Sequence, residues 1–336
     1  MATLSDRYGV GRVLVTGATG FIGRVAAAAL DKAGHEVVRG GRARLDTSAS
    51  GEAWVAYGEI GPDTCWEQAL SGIGTVVHVA GLAHLPDASL ARQANAFGRV
   101  NAEGTARLAT TAARAGVRRL VLVSTALVAG DASPGRPFTE SDRPVPKGAY
   151  AVSKLASEQR LQEAARGTGL EWVILRPPLV YGPAATGNFR RLAQLVRSGL
   201  PLPLGAATAR RTFVGVDNFA DAVVRCVEHP RAAGEIFFVG DRETPTMAEF
   251  VRGMGVAMGR EVWLPSVPPA LVRTAARVAG RVRDYHRLFD PFEIDSSRIR
   301  AALDWSPPLS LDEGLARALS NLTAPPHSKA GSIGTR

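Results

Sequence analysis

Cysteine is scarce in this chain. Two residues, Cys65 and Cys226, stand far apart among 336, which excludes a disulfide framework and fits a reducing compartment. Aromatic residues make up 6%. No run of about 18 apolar residues occurs, so no membrane-spanning helix is expected. Residues 1–12 lack an apolar signal core, and a cytoplasmic location is expected. The six histidines and two cysteines form no cluster with metal-ligand spacing, so no metal is expected. The net charge of +9 comes mainly from arginines scattered along the chain. No nucleic-acid motif accompanies it, and an anionic substrate or cofactor is a sufficient partner.

What is present begins with Arg12-Val-Leu-Val-Thr-Gly-Ala-Thr-Gly-Phe-Ile-Gly23. An apolar strand runs into a glycine turn and then into a helical run. That order places backbone N–H groups and a helix N-terminus around a pyrophosphate. Gly17 permits the turn, Gly20 keeps a Cβ away from the phosphates, and Gly23 lets helix and strand pack closely. Strands are expected at Val13–Thr16, Glu36–Val38, Thr75–Val79, Leu120–Ser124 and Trp172–Leu175. Helices are expected at Arg24–Ala33, around Trp66–Leu70, and at Val100–Ala115 and Tyr150–Arg166. The alternation implies a Rossmann-type α/β fold, a doubly wound parallel sheet.

After Arg176-Pro177-Pro178 the texture shifts to prolines, glycines and shorter elements. Residues 1–177 are expected to form the dinucleotide-binding domain, with returns near 210–240, at Thr212–Val216 and Glu235–Val239. Residues 178–322 are expected to form mainly a smaller α/β substrate lobe. Residues 323–336 read as a disordered tail.

Tyr150-Ala-Val-Ser-Lys154 sets a phenol and an ammonium on one helical face, an arrangement expected to lower the tyrosine pKa and suited to moving a proton at an alcohol oxygen. Ser124-Thr125 ends a buried strand, where reactive groups collect in open α/β sheets. The glycine turn, the hydroxyl at a strand end and YxxxK together resemble the extended short-chain dehydrogenase/reductase family, in its nucleotide-sugar epimerase/dehydratase branch. Further support comes from HVAG (78–81), VNAEGT (100–105), LRPPLVYGP (175–183), RRTFVGVDNFAD (210–221) and IDSSRIRAALDW (294–305).

The resemblance implies that Tyr150 moves the sugar hydroxyl proton, that Lys154 tunes it and holds a ribose, and that Thr125 supplies the second hydroxyl, with Ser124 beside it. It also implies a cofactor site built from Gly17, Gly20, Phe21, Ile22, Gly23, Glu59, Ile60, Val79, Ala80, Gly81, Asn101, Ser124 and Pro177 as well as Tyr150 and Lys154. A UDP-sugar would meet Asn188, Arg211 and Arg287, with His84 and Thr125 facing the sugar. A homodimer by two-helix packing is implied too.

At the end of the second expected strand an NAD site carries an acid. Here Gly41 takes that position, with Arg39 and Arg42 near it. Lack of an acid removes a repulsion, and arginine can grip a 2′-phosphate. NADP is therefore the expected cofactor, with NAD the alternative. The implied activity is C4 keto-reduction of a UDP-4-keto-6-deoxy-hexosamine in surface-polysaccharide synthesis. The alternatives are a UDP-hexose or N-acetylhexosamine 4-epimerase, a steroid-type or other alcohol dehydrogenase, and a non-catalytic dinucleotide-sensing regulator. Residues 268–288 carry Arg273, Arg277 and Arg281 at four-residue spacing. This basic amphipathic segment is read as a helix packed on the substrate lobe, the alternative being contact with a membrane surface.

Overall fold

The computed structural model describes residues 10–43, 51–83 and 89–322. Short, β-branched, fully apolar runs make buried parallel strands, because both faces are covered by helices. Among the described residues, seven strands form one parallel sheet in the order β3-β2-β1-β4-β5-β6-β9. These are β1 (Arg12–Thr16), β2 (Val37–Gly41), β3 (Ala53–Ala56), β4 (Ile73–His78), β5 (Arg119–Val123), β6 (Glu171–Arg176) and β9 (Glu235–Phe238). The strand order reverses between β1 and β4, which opens a crevice at their carboxyl ends.

Helix α1 (Phe21–Lys32) and helix α6 (Val216–Glu228) cover one face. The other face is covered by α3 (Gly104–Arg114) and α4 (Gly148–Ala165). Helix α2 (Leu90–Phe97) runs into a π-helical turn, Gly98–Glu103, before α3. The stretch Trp66–Leu70, expected to be helical, makes a single turn closed by Leu70 N–H to the Trp66 carbonyl at 2.9 Å. It is too short to propagate a helix, and Trp66 is instead a fully buried core residue.

The C-terminal part has its own core. Strands β7 (Leu179–Tyr181) and β8 (Phe213–Gly215) pair in a separate two-stranded parallel sheet. The expected return at Thr212–Val216 therefore leads into β8, outside the main sheet, while β9 pairs with β6. Helices α5 (Asn188–Ser198), α7 (Met247–Ala257) and α11 (Leu311–Leu319) pack around Tyr181, Phe213 and Phe250. A buried polar cluster joins the two cores. The Tyr181 hydroxyl donates to Asp241 at 2.8 Å, and Asp241 also accepts from Gly215 N–H and from Asn218 at 2.7 Å. Helices α8 (Pro269–Val278) and α9 (Val282–Phe289) bury none of their residues fully, and the basic segment meets the lobe through Leu288 and Phe289, which pack against its core. Helix α10 (Ser297–Leu303) buries Ile299 and Leu303. The expected tail 323–336 lies outside the described residues.

The glycine turn explains how α1 reaches β1. Gly17 has φ of +68°, and a Cβ there would sit 2.9 Å from the Ala80 Cα. A Cβ on Gly23 would lie 2.1 Å from the Gly17 carbonyl oxygen, a contact the backbone could relieve only by moving. Gly23→Ala should cost about 1–3 kcal/mol of stability, the scale of overpacking a tight contact. A urea unfolding midpoint equal to that of the unsubstituted chain would show the turn to be slack.

Candidate active site

A cleft of about 180 Å³ lies over the carboxyl ends of β4, β5 and β6, with Ile22 of α1 on its wall. It brings together Ile22, Val79, Gly81, Ser124, Thr125, Tyr150, Lys154 and Pro177, all anticipated from the sequence, with Leu82, Ala83, Val123, Pro178 and Val180. Of these last, Pro178 and Val180 fall inside the quoted LRPPLVYGP segment. Gly17, Gly20 and Gly23 form the turn beside it, and Ala80 packs against Gly17. Phe21 opens α1 and reaches toward Gly182 of the C-terminal part.

Tyr150 comes from the first turn of α4. Its ring meets Phe97 edge-on, with centroids 5.9 Å apart. Burial pushes its phenol up to about 12, and the Thr125 hydroxyl, facing it as a hydrogen-bond partner, pulls in the opposite direction. Thr125 also accepts from Leu127 N–H at 3.3 Å, capping the short turn that follows β5. Lys154 is buried, and its Nζ donates to the Val123 carbonyl at 2.6 Å. Burial lowers its pKa to about 8, against the carboxylate of Glu158, which raises it. The expected lowering of the Tyr150 pKa by Lys154 is thus not what the structure shows. The two residues share a helical face, but the ammonium turns to a strand-end carbonyl.

Beneath the cleft lies a buried ion pair. Arg176 grips Glu158 with two hydrogen bonds, at 3.0 and 2.5 Å. The Ser124 hydroxyl donates to the same carboxylate at 2.5 Å. Ser124, expected among the cofactor contacts, therefore spends its proton on Glu158. Asn101 is similarly committed. Its Oδ1 accepts from Leu82 N–H at 2.8 Å, while Nδ2 donates to the Leu82 carbonyl and to Ser153, each at 3.0 Å. It clamps the 81–83 loop to α4, a role the sequence gave no sign of. His78 is core: Nδ1 lies 2.8 Å from the Thr16 hydroxyl, and burial, then Lys154, lowers it to about 3, so it is neutral.

The far end of the crevice holds the other expected cofactor residues. The Arg39 guanidinium is shared between Asp31 and Glu52, so it is not free to meet a 2′-phosphate. Arg42 and Glu59 are both highly exposed and pair at 3.3 Å. Ile60 packs tightly at Gly104. Tyr57, which the sequence did not single out, accepts from Gly17 N–H at 3.0 Å.

Of the expected substrate residues Thr125 lines this cleft, whereas Asn188, Arg211 and Arg287 do not. Asn188 is exposed at the first position of α5. Arg211 is largely buried. It donates to the Asp290 carbonyl at 2.5 Å and stacks over Phe292. Burial lowers it to about 10, and Arg287 is close enough to push in the same direction. His84 lies outside the described residues. Among the described residues no group of metal-ligating side chains is assembled, and no helix is long and apolar enough to cross a membrane.

These residues fit a dinucleotide. Gly17, Gly20 and Gly23 of the turn carry no Cβ, α1 begins with no acid in its first turn, and the cleft is lined from Ile22 to Tyr150.

Lys154 makes a pH prediction. Its pKa is about 8 when folded and 10.5 ordinarily. Between these values the unfolded chain holds the proton and the folded chain does not, so stability rises with pH and is lost as pH falls through about 8. The gain from pH 8 to 10 should be roughly 2 kcal/mol. The buried Cys226 thiol, raised from 9.0 to about 12, opposes this gain above about pH 9 in both proteins, and Tyr150, shifted upward, opposes it above about pH 10. Urea unfolding of Lys154→Met should lack the rise; an equal rise in both proteins would place the titration elsewhere.

Comparison with known proteins agrees with this architecture. A UDP-glucose 4-epimerase of Vibrio cholerae is 33% identical over 311 residues, covering 92% of this chain and 94% of that protein. The solved structure of a UDP-N-acetylglucosamine 4-epimerase from Bacillus cereus superposes with a TM-score of 0.76, at 21% identity and over 93% of this chain and 99% of that one. The structure of MoeE5 in complex with UDP-glucose and NAD gives a TM-score of 0.72 at 27% identity, covering 92% of this chain and 98% of that one. Residues 13–240 match the NAD dependent epimerase/dehydratase family, and the chain belongs to that family.

Proposed function

We propose that this enzyme reduces the C4 keto group of a UDP-4-keto-6-deoxy-hexosamine and uses NADP as its cofactor. One observation carries the reading: β2 ends in Gly40-Gly41, with no carboxylate for a ribose 2′-hydroxyl, and the exposed Arg42 follows. A site that accepts the 2′-phosphate suits a reaction that consumes reductant. When bound, the nicotinamide supplies the hydride.

The chain's own residues do the rest. Tyr150 delivers its proton to the C4 oxygen, and its raised pKa keeps the phenol protonated for that task. Thr125 hydrogen-bonds the same oxygen. Lys154, near 8, retains its charge through most of the neutral range and would hold the nicotinamide ribose. Arg211 and Arg287, held close together, receive the diphosphate, and Asn188 meets the nucleotide.

A second reading, UDP-hexose 4-epimerase, is supported by the Vibrio cholerae relative. An epimerase returns its hydride to the sugar and shows no net cofactor change. The discriminating assay offers a UDP-4-keto-6-deoxy sugar with NADPH and, separately, UDP-N-acetylglucosamine without added cofactor. Loss of absorbance at about 340 nm, the reduced nicotinamide band, is expected in the first. A 4-epimer formed in the second would replace the proposal by the epimerase. In whichever reaction is active, Tyr150→Phe should lower turnover at least ~10²-fold and leave cofactor binding nearly intact. Near-normal turnover would remove Tyr150 from the chemistry.

A further inference from the structure

At the end of β2, where no acid stands, Gly41 faces a ring carried by the neighbouring strand. In the parallel pairing of β2 with β3, Arg39 lies opposite Trp54. Side chains two apart on a strand share a face, so Arg39, Gly41 and Trp54 stand on the same side of the sheet. The Trp54 indole leans over Gly41. A Cβ added to Gly41 would lie 2.5 Å from Cζ2 and 2.8 Å from Cη2 of that ring. Real Cβ atoms do not approach so closely. Nor is the ring free to swing away. Its Nε1 donates to the Ala43 carbonyl at 3.1 Å, and its body packs on the core under α1.

We propose that Trp54 is a specificity-determining residue of the cofactor site: it occupies the place a carboxylate at position 41 would need and walls the 2′ side of the adenosine ribose. Selectivity there is set by Trp54 and Gly41 as a pair. Arg39 is removed from the contest by Asp31 and Glu52. Arg42, with a side chain 74% exposed, is left to meet whatever lies beyond the indole. The inference rests on the dinucleotide reading of the cleft, but not on which dinucleotide the unsubstituted chain prefers.

The test measures dissociation constants for NADPH and NADH, by nicotinamide fluorescence titration of the full chain without substrate. Four proteins are compared: the unsubstituted chain, Gly41→Asp, Trp54→Ala and the double variant. Gly41→Asp alone should change the NADPH-to-NADH affinity ratio less than about threefold, because the new carboxylate cannot take its place under the ring. The double variant should move the ratio at least about tenfold toward NADH, the carboxylate now reaching the ribose hydroxyls. A tenfold shift in Gly41→Asp with Trp54 retained would overturn the proposal, and so would no shift in the double variant.

Thermal melting supplies a ligand-free arm. Gly41→Ala should lower the melting temperature when Trp54 is present and should do so much less in the Trp54→Ala background. Equal losses in both backgrounds would refute the steric wall. Failure of the unsubstituted chain to bind either dinucleotide would instead bring down the reading on which the proposal stands, and the proposal with it.

Discussion

Close approach of one glycine turn to its neighbours is the contact on which the rest of this molecule depends. The Gly17 turn lies between α1 and the carboxyl end of β4, with no room for a Cβ at Gly17 or Gly23. That closeness brings the N-terminus of α1 over the crevice where the strand order reverses. Tyr57 then anchors the turn from the far side, through Gly17 N–H. A wider turn would move α1 away from the cleft and leave Ile22 and Val79 without a shared wall.

The Tyr150 end of the cleft is fixed by a different kind of force. Glu158 and Arg176 are both almost wholly buried. Taking the two charges out of water is costly, and it is their mutual geometry and the Ser124 hydroxyl that offset the cost. Removing one partner of such a pair typically costs about 3–5 kcal/mol, since the other charge is left stranded. The pair ties α4, which carries Tyr150 and Lys154, to β6, and Arg176 also lies over the Phe238 ring at the end of β9. Tyr150 and Lys154 thus stand on an element locked from beneath. Asn101 locks the facing loop from the side. Thr125 and Tyr150 can therefore hold one geometry while a substrate comes and goes.

Much of this was legible in the sequence, for physical reasons that differ from place to place. Buried parallel strands announce themselves as short β-branched runs, so β1, β4, β5 and β6 were located to within a few residues. Strand β3, Ala-Trp-Val-Ala at 53–56, has no such run and was missed. The YxxxK spacing placed Tyr150 and Lys154 on one face because helical geometry is local. It could not say where a flexible ammonium points, and Nζ points at Val123. The composition at the end of β2 showed that an acid was missing. It could not show the ring that Gly41 faces, because Trp54 belongs to another strand. Arg39 and Arg42 looked alike as letters. Only packing separates them, one tied to two carboxylates and the other exposed. The clamp that Asn101 makes on Leu82 and Ser153 was not legible, since nothing in its neighbours' identities encodes those partners.

In the proposed reaction a hydride passes for good from a consumed cofactor to C4 of a nucleotide-linked sugar. Isotope tracing tests it most directly. NADPH deuterated at the transferring position of the nicotinamide is supplied with a UDP-4-keto-6-deoxy-hexosamine, and the product is weighed by mass spectrometry. One deuterium on the sugar carbon and one NADP⁺ formed for each product molecule are expected. A product that carries no deuterium, formed while the cofactor pool stays unchanged, would contradict it.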